Sequence, residues 1–241
     1  MKKIFYTLLF LPFLCTAQKI ETDRPTETES PVIVPICRLQ FENGFYFEKD
    51  GADHTFNIPE TTWRYGIVKD IELRIETAFV NDKNATTVTG IQPVTLGMKV
   101  HITEEKGILP QVSLLGRIQI PWLGSKELQG NYYTPEVRLL LQNALSKSVH
   151  LGYNIGIEWN SDTSQPDYIY TLSGDLELNK KLRVFIEAYG FTPVHHKSEE
   201  SADAGFIYLL NDTIQLDVSG GIGITAAAAD CFGSVGISLR I

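Results

Sequence analysis

The amino-acid sequence predicts an all-β protein, a closed antiparallel β-barrel of about twelve strands. After residue 37, apolar residues recur at every second position along nearly the whole chain, as in strands with one apolar face. Short polar turns alternate with longer loops between these strands. The N-terminal apolar run is too short for a transmembrane helix, and no longer run follows it. The length of 241 residues is ordinary for one barrel domain.

The composition excludes several other classes of protein. With 43% hydrophobic and 21% charged residues, the chain is neither disordered nor collagen-like. The formal net charge of −8 argues against nucleic acid as a partner, because binding phosphates requires clustered lysines and arginines.

The first residues have the pattern of a secretory signal peptide. Two lysines precede an apolar stretch, and a small-residue cleavage site ends at Ala17. We therefore predict three parts: a cleaved signal peptide at 1–17, an N-terminal segment at 18–36 and a barrel at 37–241. Removing the signal peptide takes away two lysines and no acid, so the exported chain is more acidic still.

Each predicted strand is defined by its own alternation. In the fourth, for example, Leu96 and Met98 alternate with Gly97 and Lys99. The tenth has no clear apolar face. In chain order, the predicted strands are 39–48, 58–68, 71–76, 94–103, 111–120, 133–142, 149–159, 168–178, 182–189, 202–210, 214–224 and 234–241.

The connections indicate the same architecture independently. Short turns on one rim, long loops on the other and both chain ends on the short-turn side are typical of an outer-membrane barrel. The predicted short turns are 69–70, 104–107, 146–148, 179–181 and 211–213. The predicted longer loops are 49–55, 79–92, 121–131, 160–166, 192–201 and 226–230.

The distribution of charge favours a membrane barrel over a soluble one. Where the faces can be assigned, the apolar face carries no charged residue, as expected if a charge at the bilayer midplane costs about 2–4 kcal/mol. A twelve-stranded soluble barrel would also have an interior wide for side chains alone to fill. We therefore predict a transmembrane barrel with its polar face inward. The charged residues predicted to line the lumen are Glu42, Arg64, Glu72, Arg74, Glu76, Lys99, Arg117, Glu136, Arg138, Glu158, Asp175, Glu177, Arg183, Glu187, Asp217 and Arg240.

Two further features indicate the outer membrane of a Gram-negative bacterium. The final strand, 234–241, resembles the C-terminal signal read by the barrel-assembly machinery, which we expect as a partner together with outer-membrane lipid. Aromatic residues near the long-loop ends of strands would form the outer interfacial girdle. These residues are Phe47, Phe79, Trp122, Tyr132, Tyr133, Trp159, Tyr168, Tyr170 and Phe191.

Two cysteines remain after the signal peptide. Closing the barrel pairs the first strand with the twelfth in antiparallel fashion, since an open edge in lipid would leave backbone groups unpaired. Cys37 lies just before the start of one of these strands and Cys231 just before the start of the other. They should therefore lie at opposite rims, as two free, buried thiols rather than a disulfide.

The block Thr22-Asp23-Arg24-Pro25, with Thr28-Glu29-Ser30-Pro31 after it and Leu39 to Phe45 beyond, resembles a family of bacterial outer-membrane proteins. These are described as transporters of the meta-cleavage pathway of phenol degradation. The likeness runs nearly to the C-terminus. The resemblance implies a barrel and the passage of small molecules, aromatic or hydrophobic ones among them, and no catalytic residues.

Enzymatic and metal-binding alternatives have little support in the sequence. His195 and His196 lie in a loop with Glu199, and His54 follows acids in another, but their spacing matches no metal motif. No Gly-x-Ser-x-Gly motif occurs. His101 lies on the predicted lumen face near a short turn. We therefore expect no catalytic residue, no metal and no cofactor.

The N-terminal segment, 18–36, is too broken by prolines to form a strand. It is either a periplasmic tail or a plug folded into the lumen, with Asp23, Arg24 and Glu29 as the residues predicted to act in the plug. The resemblance is concentrated here, which favours a plug.

We expect a channel or transporter for small solutes, of weak charge selectivity because the lumen carries both signs. Two alternatives stay open. The lumen charges could simply pair across neighbouring strands, as in a structural or binding barrel with a filled interior. Less favoured is an outer-membrane lipid hydrolase or protease.

Overall fold

The structure, a computed structural model, describes residues 18–83, 87–194 and 196–241, so the predicted signal peptide lies outside it. No helix in these ranges is long and apolar enough to cross a membrane. Two short 3-10 turns, Pro121–Leu123 and Lys126–Leu128, lie in one connection. The strands found in these ranges are β1 (Leu39–Asp50), β2 (Asp53–Val68), β3 (Ile71–Lys83), β4 (Thr87–Ile91), β5 (Thr95–Thr103), β6 (Gln111–Gln119), β7 (Thr134–Ala144), β8 (Val149–Trp159), β9 (Pro166–Glu177), β10 (Leu182–Pro193), β11 (Glu199–Asn211), β12 (Ile214–Gly223) and β13 (Cys231–Arg240).

All strands except β4 form one closed antiparallel ring. Each pairs with its neighbours in sequence, and β1 pairs with both β2 and β13, which closes the barrel. In the closing ladder Gln40 lies opposite Arg240 and Lys49 opposite Cys231. The short β4 pairs only with the upper part of β3. The predicted closed barrel of twelve strands is therefore confirmed, with β4 as an addition outside the ring.

Several strands are longer than the alternation predicted. The predicted loop 49–55 is mostly strand, since Asp50 pairs with Asp53 across a two-residue turn in which Gly51 has a φ of 56°. The predicted loop 79–92 likewise contains the end of β3 and all of β4. The first extension is polar on both faces, and in the second the apolar residues Phe79 and Val80 are adjacent and do not alternate. Neither therefore shows a clear apolar period, yet backbone pairing continues through both.

The barrel is apolar outside and polar inside. Mid-strand residues such as Ile155 and Ile186 are 58% and 70% exposed on the outer surface. Most buried residues are polar or charged, among them Arg64 and Lys99. This inverts the arrangement of a soluble protein and fits an outer surface that lipid covers.

Strand β11 has an assignable orientation in the structure. Phe206 and Tyr208 are exposed on the outer face, whereas Gly205 and Ile207 are buried inside. Pairing with β10 and β12 sets this orientation, because the strand's own sequence is apolar on both faces.

Cys37 and Cys231 are free thiols at opposite ends of the closing ladder. Cys37 is exposed and Cys231 half-buried, so the expectation of buried thiols is wrong. Cys37 is exposed because it lies in the turn between the N-terminal segment and β1, before the first strand of the barrel.

Candidate functional site

The N-terminal segment, residues 18–36, lies inside the barrel. It enters at the short-turn rim, where the Ile20 amide donates to the carbonyl of Asp212 at 2.8 Å. It leaves at the same rim, where Ile36 forms a parallel bridge with Gly66. Between these points it rises to Arg24, whose guanidinium lies against Gly44 of β1. The segment is thus a loop inserted into the lumen from one side.

Asp23 lies in the centre of a basic cluster on the barrel wall. One carboxylate oxygen is 2.9 Å from the Lys99 ammonium and 3.1 Å from a guanidinium nitrogen of both Arg64 and Arg74. The other oxygen accepts a hydrogen bond from the Ser30 amide at 3.0 Å, which closes the loop of the segment on itself. One carboxylate therefore compensates charges on β2, β3 and β5.

Glu29 contacts the same wall further around the ring. It forms ion pairs with Arg74 and with Arg117, the latter at 2.9 Å. Its backbone makes two hydrogen bonds with the buried Asn154 side chain of β8, donating to Oδ1 at 2.7 Å and accepting from Nδ2 at 3.0 Å. Ion pairs of its side chain and hydrogen bonds of its backbone therefore both hold this residue in place.

Carboxylates of the wall accept hydrogen bonds from the segment's backbone. The Asp23 and Arg24 amides donate to Glu42 at 3.1 and 3.2 Å. The Glu27 amide donates to Glu187 at 2.8 Å, and the Val34 amide donates to Glu72 at 2.8 Å. Because the segment has no secondary structure, these side chains replace the partners that a helix or sheet would supply.

Arg24 provides the segment's positive charge at the top of the loop. Its guanidinium lies 3.3 Å from Glu60 of β2 and 3.3 Å from Asp217 of β12. Glu27, also at the top of the loop, pairs with Arg138 at 2.9 Å, and Glu21, lower in the lumen, pairs with Arg183 at 2.9 Å. The segment therefore presents acids to basic wall residues and a base to acidic ones.

The pKa values of the two central acids follow from these contacts. Burial by itself raises the pKa of Asp23, but the charges of Arg64, Lys99 and Arg74 outweigh it and hold the pKa below its ordinary value. Glu29 is held well below its ordinary pKa, with burial again opposed by Arg74, Arg117 and Lys99. Both carboxylates are therefore ionised at neutral pH.

The predicted lumen-lining residues all lie on inward positions of the wall. Those that are buried are Glu42, Arg64, Glu72, Arg74, Lys99, Glu136, Arg138, Glu187, Asp217 and Arg240. Those that are half-buried are Glu76, Arg117, Glu158, Asp175, Glu177 and Arg183. Wall residues also pair with one another, as in Arg117 with Glu136 at 2.7 Å.

Sequence reasoning missed the neutral wall residues that bind the segment. Ser113 donates to the Pro31 carbonyl, and Gln215 donates to the Thr22 hydroxyl at 2.6 Å. Both occupy the polar face of their strand, so the alternation marked their side of the sheet but gave no reason to select them from it.

The histidines considered as enzymatic candidates lie at separate places. His101 is 3.3 Å from Glu104 at the short-turn rim, and the His54 ring packs on Phe47 near the opposite rim. His196 follows β10, and His195 lies outside the described residues. Within 18–83, 87–194 and 196–241, no three or more His, Cys, Asp or Glu side chains form a group that could hold a metal.

The segment separates two cavities along the barrel axis. One of about 230 Å³ lies above it, toward the long loops, with Arg24 and Glu27 among the residues at its floor. The other, of about 210 Å³, lies below it beside Val34 and His101 at the short-turn rim. The space within the loop of the segment is only about 30 Å³. The lumen is therefore narrowed where the segment crosses it.

Fold and site together define a class, the outer-membrane β-barrels, here with a charged interior occupied by the chain's own N-terminal segment. Within that class the chain belongs to the family described as "Putative MetA-pathway of phenol degradation", which matches residues 22–241. The resemblance noted from the sequence is thereby confirmed. The match covers most of the segment as well as the barrel.

Solved structures show the same fold at low identity. An outer membrane channel from Pseudomonas putida F1 is 10% identical, with a TM-score of 0.68, over 90% of this chain and 99% of that one. The NanC porin is 10% identical, with a TM-score of 0.60, over 84% of this chain and all of that one. The KdgM porin is 10% identical, with a TM-score of 0.60, over 83% and 98%. No curated protein matches the sequence.

Proposed function

We propose that this protein is an outer-membrane channel for small solutes and that residues 18–36 are its plug. The observation that carries this proposal is how the plug is held. Apart from the bond of the Ile20 amide to the Asp212 carbonyl and a one-residue bridge at Ile36, it contacts the wall through side-chain hydrogen bonds and ion pairs and not through strand pairing. The plug can therefore leave the lumen without breaking the hydrogen-bonded ring of the barrel.

The width of the barrel supports the same proposal. Barrel diameter grows with strand number, and twelve strands enclose more space than inward side chains fill. Here the plug occupies that space, so its removal opens a polar passage. The structural neighbours at low identity are described as an outer membrane channel and porins, which agrees with passage of solutes.

In the passage that opens when the plug leaves, the sign of the charged residues differs between two sides of the barrel. Basic residues on β2, β3, β5, β6 and β7 face the plug's acids, and acidic residues on β10 and β12 face its amides and Arg24. Without the plug, neither sign dominates the whole circumference. We expect weak selectivity between cations and anions, and a preference for solutes with their own dipole.

A second candidate is a structural or binding barrel whose interior is permanently filled. It is favoured by the extent of the contacts of Asp23 and Glu29, each of which meets several buried cations. In either case we propose an outer-membrane location, reached by cleavage of residues 1–17 and insertion by the barrel-assembly machinery. We propose no enzymatic activity and no cofactor.

Conductance in planar bilayers tests the proposal. We expect low conductance from the protein with residues 18–36 and several-fold higher conductance when they are deleted. A double variant, D23N with E29Q, should open intermittently, because the buried cations lose their counter-charges. The matched control is E127Q with D162N, which changes two exposed loop acids.

Folding of each variant is checked by heat-modifiable migration on gels. If the deletion variant folds and stays silent, the channel proposal is wrong and the filled barrel is favoured. If the protein with residues 18–36 conducts as strongly as the deletion variant, the segment is not a plug.

A further inference from the structure

The cavity above the plug forms a chamber within the lumen. Its volume is about 230 Å³, larger than the roughly 150 Å³ cavity known to hold benzene. Its floor is the top of the plug, from Arg24 to Glu27, and its wall is formed by β1, β2 and β10 to β13. A solute crossing the barrel from the long-loop side meets this chamber before it meets the plug.

Three aromatic rings form one side of the chamber. Tyr46 and Phe232 are stacked with centroids 6.3 Å apart, and Tyr189 lies 6.2 Å from Phe232 at an angle of 59°. The Phe232 side chain reaches this position by lying over Gly221 of the neighbouring strand β12. A Cβ added at Gly221 would be 2.2 Å from the Phe232 ring. The glycine is thus required for the aromatic side of the chamber.

The free polar atoms of the chamber are mainly acceptors. Asn57 Oδ1 and Asp203 Oδ1 have no hydrogen-bond partner, and both residues line the cavity. Arg24 has one free nitrogen, Nε, while its other two nitrogens contact Glu60, Asp217 and Ser234. Asp203 lies within hydrogen-bonding reach of the Glu187 carboxylate, and among the described residues this pair of acids has no lysine or arginine as an ion-pair partner.

We propose that this chamber binds a small organic cation with an apolar body. Its ammonium would donate to Asp203, and its body would lie against Tyr46, Tyr189 and Phe232, which also attract a cation through their ring faces. This inference rests on the proposed channel function and names the class of solute that the channel takes. Binding would supply a cationic partner to the Asp203 and Glu187 pair, which has none among the described residues.

Other ligand classes fit the chamber less well. An anion would face the carboxylates of Glu27, Glu60 and Asp203, and the guanidinium of Arg24 is already paired. A neutral aromatic alcohol could pack on the rings but would give the Asp203 and Glu187 pair no cationic partner. A divalent metal would require a cluster of ligands, and none is found among the described residues.

Three probes of similar size and different charge test this proposal. They are 2-phenylethylammonium, 2-phenylethanol and phenylacetate, titrated into the full-length exported protein in detergent by calorimetry. We expect the ammonium to bind at least about tenfold more tightly than the alcohol, which corresponds to one charge-assisted contact. Phenylacetate should bind most weakly.

Two variants and their controls locate the site. D203N should weaken ammonium binding about tenfold and leave the alcohol unchanged, because only the charge is removed. G221A should weaken both, because it displaces Phe232. The controls are D162N, at an exposed acid, and G174A, where an added Cβ would meet no atom within 4 Å.

The outcomes separate this inference from the channel proposal. Equal binding of alcohol and ammonium, tightest binding of phenylacetate, or no effect of D203N would each overturn the inference. If the deletion variant conducts but no probe shows the expected order, the inference alone fails. If the ammonium binds as expected and neither protein conducts, the channel proposal fails and the chamber belongs to a binding barrel.

Discussion

Lys99 illustrates how single residues carry charge inside this barrel. Its ammonium is fully buried and lies 2.9 Å from Asp23, 3.6 Å from Glu29 and 2.8 Å from the Ser30 carbonyl. A buried charge without such partners would cost several kcal/mol. All three partners belong to the plug, so the charge on β5 and the position of the plug depend on each other.

Replacing Lys99 by methionine should therefore loosen the plug. We expect its docking to weaken by about 3–5 kcal/mol, the usual cost of breaking a buried pair by removing one partner. Limited proteolysis should cleave residues 18–36 faster in K99M than in the parent protein. K126M, at an exposed lysine in a loop, is the control. Equal cleavage rates for K99M and the parent protein would contradict the proposed role of Lys99.

Acidification should release the plug as well. Asp23 and Glu29 have pKa values held below their ordinary 3.8 and 4.5 when docked, so docking favours their ionised forms. Their contribution is complete above these ordinary values and is lost as the pH falls through the lower values of the docked state. Conductance should rise below about pH 4 in the parent protein. The D23N, E29Q double variant should lack this rise, and a parent-like rise in that variant would contradict the assignment.

At the scale of elements, the plug and β2 are in close contact where the plug leaves the lumen. Ile36 bridges Gly66, and the Cys37 amide donates to the Gly66 carbonyl at 2.8 Å. A Cβ at Gly66 would lie 2.3 Å from the Pro35 oxygen and 2.4 Å from that of Val34. Both atoms are backbone, so the close approach requires glycine.

G66A should therefore displace the descending part of the plug. Overpacking of this kind typically costs about 1–3 kcal/mol, so we expect more frequent channel opening with the barrel still intact. G116A is the matched control, because an added Cβ there would meet no atom within 4 Å. Conductance of G66A equal to that of G116A would show that this contact does not retain the plug.

At the scale of the whole molecule, stability depends on the solvent around the barrel. The outer apolar surface requires lipid, and the inner charges require the plug and one another. Ile155 lies mid-strand on the outer surface and is 58% exposed, whereas Ile108 lies in a turn and is 94% exposed. Both are apolar and exposed, but from its mid-strand position we expect only Ile155 to lie in the membrane band.

A lysine at these two positions should thus have different effects. I155K should destabilise the folded barrel in lipid vesicles by about 2–4 kcal/mol, the cost of a lysine near the bilayer midplane. I108K should cost close to nothing. Denaturant titration in vesicles measures both free energies of unfolding. Equal values would mean that lipid does not cover the outer surface at β8.

The outer part of the fold was predictable, and the contacts of the site were not. Alternation marks each strand and its lipid-facing side, because every strand must present apolar side chains to the lipid. It therefore placed Arg64, Lys99 and Arg138 on the inner face. It could not show which carboxylate each would meet, since the inner face has both signs at many positions. It also ended β1 too early, because a strand beyond the membrane has no apolar period.

By itself the sequence determined a barrel of twelve strands with a charged interior. The two-residue period of apolar residues marks the strands, and the requirement that lipid contact only the apolar face directs the charges inward. Only the tertiary structure decided where residues 18–36 lie and which groups hold them. Those contacts join residues far apart in the chain, such as Arg24 and Ser234, which are separated by 210 positions. Such pairings depend on how the ring closes around the segment, and no local pattern of residues encodes that geometry.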